Sequence, residues 1–469
     1  MTPRDVGVVV IGAGPAGTAA ALRAADLGAK TALVTRGAFG GMAANDGPIP
    51  VRTLAHAARL LREARQLPRY GIATGTIKVD YQVLLSRARE VVAEAAAHST
   101  LRPQIDAAGV EVYEHAGAAR FIDARTIGGE RCPTLRAKKI VICAGGMSRT
   151  LDVPGFELTA TPADAFGLTA APKSMIVVGA GATGVQVASI FNAFGTHVEL
   201  FQAGPRIIPT EDEDVSREVA TAFREHGITV REDFGWIERF ERSPSGVRMV
   251  FNKSGVENSV EAELAVAAVG WVADVAGLQL SRAGVVTNER GSVRVDDFLQ
   301  TSAPHVFAAG DVTGRLMLVP QAVQDGFVAS TNAVSDTRIP RSGSINPIGS
   351  FTDPEYAQVG LTEVTARKMH HDVLVSVGRY DETTRPIIDG RTRGFCKLIV
   401  DPPTGTILGC HVIGEQAVEI TQMAAIAMTA GMTVDTLAAI SLSFPTYANV
   451  LGRAALRAVR AARRTESAL

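Results

Sequence analysis

Two stretches of the chain share one hydrophobic pattern: a short apolar run, a glycine-rich turn and an alanine-rich segment with helical spacing. The apolar runs occupy residues 8–11 and 175–178. Further strand-like runs alternate with helical patterns and occupy residues 31–34, 139–143, 197–201 and 264–269. Such alternation predicts βαβ units and parallel sheets.

The C-terminal part has a different pattern. Strand-like runs at 395–400 and 407–412 surround an apolar helix at 420–430, and no glycine-rich turn follows them. We therefore predict an α/β protein with two Rossmann-like dinucleotide-binding domains and a C-terminal α+β domain. The predicted boundaries are 1–150 with 281–345 for the first domain, 151–280 for the second and 346–469 for the third.

The two turns match the dinucleotide-binding motif in its strand–turn–helix context. In such a turn the glycines allow a tight bend, close approach of a pyrophosphate and close helix packing. The helix N-terminus then favours the phosphates. Two motifs in one chain indicate two nucleotides, a flavin and a nicotinamide. The expected binding residues are Gly12, Gly14, Pro15, Ala16 and Gly17 in the first turn and Gly179, Gly181, Thr183 and Gly184 in the second.

Composition narrows the class of protein. The net charge is −1, so nothing indicates a nucleic-acid partner. No apolar stretch reaches about 18 residues, which predicts the absence of a membrane span, and we expect a cytoplasmic protein. The cysteines lie far apart, which indicates neither a zinc site nor a disulfide framework, at positions Cys132, Cys143, Cys396 and Cys410.

The order of these segments resembles the class I pyridine nucleotide–disulfide oxidoreductases, which include lipoamide dehydrogenase, glutathione reductase and mercuric reductase. The resemblance spans essentially the whole chain and includes segments such as 351–355 and 359–363. It implies FAD on the first turn, NAD(P)H on the second, and a homodimer in which each active site is completed by the other subunit. It also implies that Asp311 binds the flavin's ribityl chain, although a solvated turn aspartate is an alternative. Further expected cofactor-binding residues are Gly41, Ala144, Gly145, Gly270 and Gly310.

One departure concerns the redox disulfide. Family members carry two cysteines in a glycine-rich segment that corresponds here to residues 40–52. Ala43 and Pro48 stand where the cysteines belong. A thiol relay needs one thiolate to attack and a second to resolve the mixed disulfide. The sequence therefore predicts no disulfide reductase activity by the family mechanism.

The family's proton-transfer pair is also altered. Its His and Glu correspond to Phe444 and Asn449, which cannot transfer protons as that pair does. A Phe-Pro-Thr ending resembles that of soluble transhydrogenases and quinone-reducing members. We expect Met42, Ala43 and Pro48 to line a vacated apolar face of the flavin, with Phe444 and Tyr447 contributed across the dimer. Tyr447 is expected either to donate a hydrogen bond to the acceptor or simply to pack.

Other changes lie beside the nucleotides. The family's Lys–Glu pair corresponds to Arg52, which can stabilise negative charge near reduced flavin, and Gln186, which can hydrogen bond. In the flavin domain, Thr35 stands where the family carries an acid that binds the adenosine ribose, and Arg36 follows it. The adenosine of FAD is therefore expected either to be bound differently or to be held by a hydrogen bond from Thr35 to one ribose hydroxyl. In the nicotinamide domain the same position is Gln202. No carboxylate there opposes NADPH, and Arg206 is either a ligand of its 2′-phosphate or a structural loop residue.

These observations predict an FAD-dependent NAD(P)H oxidoreductase without a dithiol that reduces a small, quinone-like acceptor. Three alternatives stay open from the sequence. They are a soluble transhydrogenase, a biosynthetic flavin reductase or dehydrogenase acting on one metabolite, and a non-catalytic flavin redox sensor.

Overall fold

The structure is a computed structural model that describes residues 2–73, 75–341, 343, 345–370 and 372–466. Its strands are β1 Arg4–Ile11, β2 Thr31–Val34, β3 Glu111–Tyr113, β4 Arg120–Asp123, β5 Thr126–Gly128, β6 Leu135–Ile142, β7 Gly146–Ser148, β8 Ser174–Val178, β9 His197–Gln202, β10 Thr229–Glu232, β11 Trp236–Ser243, β12 Gly246–Lys253, β13 Val256–Ala262, β14 Leu264–Ala267, β15 Trp271–Ala273, β16 Val306–Ala308, β17 Ile348–Ser350, β18 Tyr356–Gly360, β19 Leu374–Arg379, β20 Phe395–Val400 and β21 Ile407–Ile413.

Its α-helices are α1 Pro15–Asp26, α2 Gly41–Asn45, α3 Pro48–Ala64, α4 Tyr81–His98, α5 Leu101–Ala107, α6 Pro162–Phe166, α7 Ala182–Ala193, α8 Glu213–Glu225, α9 Val319–Val334, α10 Glu363–His370, α11 Thr384–Ile388, α12 Ala417–Thr429, α13 Val434–Ala439 and α14 Asn449–Glu466. No helix in the described part of the chain is long and apolar enough to cross a membrane.

The chain separates into two compact units. The first holds the chain up to Leu54, then Gln82–Arg149 and the stretch that begins at Gly270. The second holds Ala55–Tyr81, Thr150–Val269 and the stretch from Ile345 onward. Our prediction ended the nicotinamide segment at residue 280, whereas β15 pairs with β7 inside the first unit, so the change of unit comes at Gly270.

The first unit is built on a sheet in the order β3-β2-β1-β6-β5-β4, and β16 also pairs with β6. The pairs among β3, β2, β1, β6 and β16 are parallel. Val8, Val9 and Val10 of β1 are almost completely buried. Each such side chain contributes about 1.5–3 kcal/mol by leaving water, which is why this run forms a central strand.

The described residues of the second unit form three sheets. A parallel sheet in the order β10-β9-β8-β14 repeats the strand–helix plan of the first unit, and an antiparallel sheet β11-β12-β13 follows in the chain. The C-terminal stretch forms an antiparallel sheet in the order β17-β18-β21-β20-β19. Its core includes buried residues of α12 and α14. The predicted fold class is confirmed.

Candidate active site

The first glycine-rich turn joins β1 to α1. Gly12 has a positive φ of 106°, and a Cβ atom on Gly17 would lie 1.7 Å from the carbonyl oxygen of Gly12. A larger residue at position 17 would therefore push the helix away from the strand. Gly14 begins the helix and has no side chain that could cap it. The first turn of α1 thus fits an anionic pyrophosphate, as the N-terminus of a helix after such a turn does elsewhere.

Several predicted flavin-site residues come together near this glycine-rich turn. A Cβ atom on Gly41 would lie 2.8 Å from the Cα atom of Gly14, so the start of α2 packs directly on the turn. Asp311 follows β16, and its Cβ atom lies 3.5 Å from a Cβ atom built on Gly146, two residues after Ala144. Gly145, which lies between Ala144 and Gly146 in the chain, has a positive φ of 80°.

Asp311 is a half-buried carboxylate, and burial raises its pKa. Within the described residues no cation lies at ion-pair distance from it. A carboxylate in this state accepts hydrogen bonds readily from hydroxyl groups, because they satisfy its oxygens without a second charge. Its environment therefore fits a ligand with hydroxyls, such as the ribityl chain of FAD, and the assignment of Asp311 to FAD stays a prediction.

Thr35 and Arg36 follow β2, but only Thr35 is buried. The backbone N–H of Thr35 donates to the Tyr113 carbonyl oxygen at 3.0 Å. The Arg36 guanidinium forms an ion pair with Asp274 at 2.9 Å, while its side chain stays 62% exposed. Any contact of Arg36 with adenosine would have to share the guanidinium with this carboxylate.

The segment that corresponds to the family's redox disulfide forms α2 and the start of α3. The Asn45 amide donates to the carbonyl oxygens of Phe39 at 3.2 Å and Gly41 at 2.8 Å, which holds the segment in place. Ala43 is half-buried, whereas Pro48 is exposed as the first residue of α3. Arg52 lies half-buried on α3.

The four cysteines lie on other elements. Cys143 is buried directly after β6, and burial raises the pKa of its thiol. Cys396 and Cys410 are buried on β20 and β21 with their Sγ atoms 3.8 Å apart, and their contact raises the pKa of Cys396. Cys132 is half-buried, and burial raises its pKa as well. Raised pKa values lower the thiolate fraction, which is the reactive form.

The second glycine-rich turn repeats the first. A Cβ atom on Gly184 would lie 1.8 Å from the Gly179 carbonyl oxygen, and Gly181 begins α7. Thr183 lies in the first turn of this helix. The Gln202 Oε1 atom accepts a hydrogen bond from the Ala180 N–H at 3.0 Å. This turn also fits a dinucleotide pyrophosphate, and Gln202 braces it with a neutral side chain.

Arg206 is engaged by its own loop. Its guanidinium donates to the carbonyl oxygens of Pro209 at 2.8 Å and Glu211 at 2.9 Å, with a longer contact of 3.5 Å to Ile208. This geometry favours the structural interpretation of Arg206 over a role as ligand of a 2′-phosphate.

Three further predicted residues have definite partners. The Gln186 amide donates to the Ala182 carbonyl oxygen at 3.1 Å. The Tyr447 hydroxyl donates to Asp389 at 2.9 Å, which favours a packed role over hydrogen bonding to an acceptor. Gly270 is exposed with a φ of 107°, and its carbonyl oxygen accepts from the Arg149 N–H at 2.9 Å.

Two profiles of one protein family match consecutive parts of the chain. The profile described as Pyridine nucleotide-disulphide oxidoreductase matches residues 6–326, and the dimerisation-domain profile of that family matches residues 346–455. The chain therefore belongs to the pyridine nucleotide–disulphide oxidoreductase family. Members of this family bind FAD and use NAD(P)H, so both cofactor predictions are confirmed. The dimerisation domain supports the predicted homodimer.

Relatives cover the chain almost from end to end. The dihydrolipoyl dehydrogenase of Mycobacterium tuberculosis is 32% identical over 464 residues, which cover 96% of this chain and 97% of that protein. The mercuric reductase of Lysinibacillus sphaericus is 30% identical, with 96% and 82% covered. Among solved structures, the HOCl-induced flavoprotein disulfide reductase RclA from Escherichia coli matches with a TM-score of 0.84 and 25% identity, over 96% of this chain and 99% of that one.

Several residues that hold the predicted site residues in place were not among the residues predicted from the sequence. Asn45, Asp274 and Asp389 act through contacts with residues distant in the chain or through backbone carbonyls. No motif marks Asp274 or Asp389, because their partners are set by tertiary packing. Asn45 differs, since it belongs to the glycine-rich segment 40–52 and its partners lie within six residues.

Proposed function

We propose that the chain is an FAD-dependent NAD(P)H oxidoreductase that passes electrons through the flavin to a small acceptor other than a disulfide, a quinone-like molecule. The observation that carries the proposal is the lack of a cysteine between residues 40 and 52. The buried positions and raised pKa values of Cys143 and Cys396 add support, because such thiols are poor substitutes in a relay.

FAD, when bound, supplies the two-electron chemistry that links the nicotinamide to the acceptor. The protein's own contribution lies in binding and electrostatics. We assign the Gly12–Gly17 turn, the Asp311 carboxylate and the neighbourhood of Gly145 to FAD. We assign the Gly179–Gly184 turn and Gln202 to NAD(P)H, and Arg52 to the stabilisation of negative charge beside the flavin.

The acceptor would meet small apolar side chains rather than a thiol. Ala43 has no group that can form a covalent adduct, Met42 precedes it directly, and Pro48 follows five residues later. A weakly polar wall of this kind suits a flat apolar molecule. Phe444 is 76% exposed and offers further apolar surface in a domain that belongs to a dimerisation family.

The test is an anaerobic titration followed by an acceptor comparison. We expect NADPH or NADH to bleach the flavin without the long-wavelength thiolate–flavin band of a disulfide reductase. Benzoquinone or menadione should then be reduced with a higher kcat/KM than lipoamide or oxidised glutathione. A Cys132→Ser variant is the matched control, since it removes the most accessible thiol and should leave quinone reduction unchanged. Disulfide turnover that equals quinone turnover would refute the proposal.

A transhydrogenase is the second candidate. It is favoured by the neutral Gln202 and by the engagement of Arg206 within its own loop, so that neither of these two residues offers a free charge to separate NADH from NADPH. Hydride transfer from NADPH to thio-NAD that exceeds quinone reduction would select this function instead.

A further inference from the structure

The segment between β9 and α8, residues 203–212, touches the second glycine-rich turn. We call it the 203–212 loop. The Ile208 N–H donates to the Ala180 carbonyl oxygen at 2.7 Å, while the Ala180 N–H donates to Gln202 just before the loop. Both backbone polar groups of Ala180 are therefore fixed by this part of the chain. The position of the turn depends on where the loop is held.

The loop contains a strained residue at this contact. Ile208 has a φ of 38° and is 1% exposed. A β-branched side chain in the left-handed region is unfavourable, and such a conformation persists only when the surroundings hold it. Arg206 binds the following carbonyl oxygens, but it belongs to the loop itself. Outside the loop, the Ile207 N–H donates to Glu232 of β10 at 3.0 Å, and the Ser216 hydroxyl of α8 donates to the Ile207 carbonyl oxygen at 2.7 Å.

A further anchor, which holds the C-terminal end of the loop, lies on the C-terminal sheet of the same unit. Lys397 on β20 is 2% exposed, and its Nζ atom lies 2.8 Å from Asp212, 2.8 Å from Asp214 and 2.6 Å from Glu363. Asp212 is the last residue of the loop and the N-cap of α8. Next to it, the Gln358 amide of β18 donates to the Glu211 carboxyl group at 3.1 Å.

We propose that Lys397 is a positioning residue for the pyridine nucleotide: through Asp212 it holds the 203–212 loop, and through Ile208 the loop holds the turn that binds the pyrophosphate. This inference rests on the proposed function in one respect, that the nucleotide binds at the Gly179–Gly184 turn. It assigns a role in nucleotide affinity to a buried lysine of the dimerisation domain.

The partners of Lys397 provide a matched pair of variants. Asp212→Asn removes the charge on the loop but keeps a side chain that caps helices equally well. Glu363→Gln removes the charge of a Lys397 partner that belongs to α10 and not to the nucleotide domain. Lys397→Met removes the ammonium group that the three carboxylates share, and Lys397→Arg is the conservative variant that keeps a positive charge.

Calorimetric titration with NADH and anaerobic stopped-flow reduction of the flavin give the dissociation constant and the limiting rate separately. We expect Asp212→Asn and Lys397→Met to raise the dissociation constant about tenfold with a limiting rate within about twofold, the pattern of lost binding rather than lost chemistry. Glu363→Gln and Lys397→Arg should stay within about twofold of the wild type. The flavin content should be equal in all variants.

Equal dissociation constants in the wild type and Asp212→Asn would overturn the inference, and so would an equal rise in Glu363→Gln. If Lys397→Met does not fold, the Asp212→Asn and Glu363→Gln pair decides the question alone. A wild type that binds NADH without flavin reduction would defeat the proposed function while leaving this comparison valid. A wild type that does not bind either nucleotide would defeat both.

Discussion

At the scale of single residues, we propose that Gln202 decides how the second site distinguishes NADH from NADPH. Its Oε1 atom braces the glycine-rich turn, and the side chain carries no charge. Family members that select NADH are expected to carry an acid at this position, because a carboxylate repels a 2′-phosphate. The position was evident from its distance to the motif, but the bond to Ala180 was not.

The substitution Gln202→Glu tests this role. A carboxylate can still accept the Ala180 N–H, so the turn should stay braced while the 2′-phosphate of NADPH is repelled. We expect the KM for NADPH to rise by about tenfold or more while that for NADH changes little. Steady-state kinetics with both nucleotides check the result, and an equal rise for NADH would contradict it.

Glu211 makes stability depend on pH. It is 4% exposed, and burial raises its pKa to about 8. In the unfolded chain a glutamate titrates near pH 4.3. The folded state therefore holds the proton more tightly, and this group lowers the free energy of unfolding progressively as the pH rises from about 4.3 to about 8.

A Glu211→Gln variant should lose this dependence, because its amide oxygen can still accept from Gln358 without ionising. The melting temperature of the variant relative to the wild type should rise between pH 5 and pH 8.5. Glu213→Gln, which changes an exposed neighbour, is the control and should show no such trend. A constant difference between Glu211→Gln and the wild type would show that Glu211 is ionised throughout.

At the scale of elements, the two strand–turn–helix units were predicted well because their signals are local. The predicted strand at 31–34 coincides with β2, and that at 395–400 coincides with β20. Ends were less well predicted where the backbone bends for tertiary reasons. The strand expected at 264–269 stops at Ala267, which is paired with Val178, the residue where the neighbouring strand β8 ends and the Gly179 turn begins.

The glycines of the second turn have separable roles. A Cβ atom on Gly184 would meet the Gly179 carbonyl oxygen at 1.8 Å, whereas one on Gly181 would meet nothing within 4 Å. We therefore expect Gly184→Ala to lower the melting temperature and Gly181→Ala to leave it unchanged. Because the second glycine allows the pyrophosphate to approach, Gly181→Ala should still weaken NADH binding about tenfold or more. Differential scanning fluorimetry and calorimetric titration check both outcomes, and unchanged NADH binding by Gly181→Ala would argue against this site.

At the scale of the whole molecule, the dimerisation-domain match predicts a symmetric pair of chains. Since one chain weighs 49.2 kDa, light scattering after size exclusion should give twice that mass. Phe444 is exposed and is expected to contribute to the acceptor site of the other chain, so the dependence of activity on dimerisation can be tested. Dilution that produces monomers should also remove acceptor reduction, if each site needs both chains. A 49.2 kDa species with full acceptor turnover would contradict this expectation.

The sequence by itself determined the fold class, the family and the two cofactors. Those depend on glycines and apolar runs whose meaning is local: a motif of six residues and a strand of four specify their own backbone. The replacement of thiols by Ala43 and Pro48 was likewise visible without a structure.

Only the tertiary structure decided which polar side chains remain available to bind a ligand. Arg36, Arg206 and Tyr447 each looked like a ligand in the sequence, and each is bound by a protein group. Lys397 carried no signal, because its partners Asp212 and Asp214 lie more than 180 residues away in the chain. The type of a residue states what it can bind, but its partner is set by packing, which brings distant segments within hydrogen-bond distance.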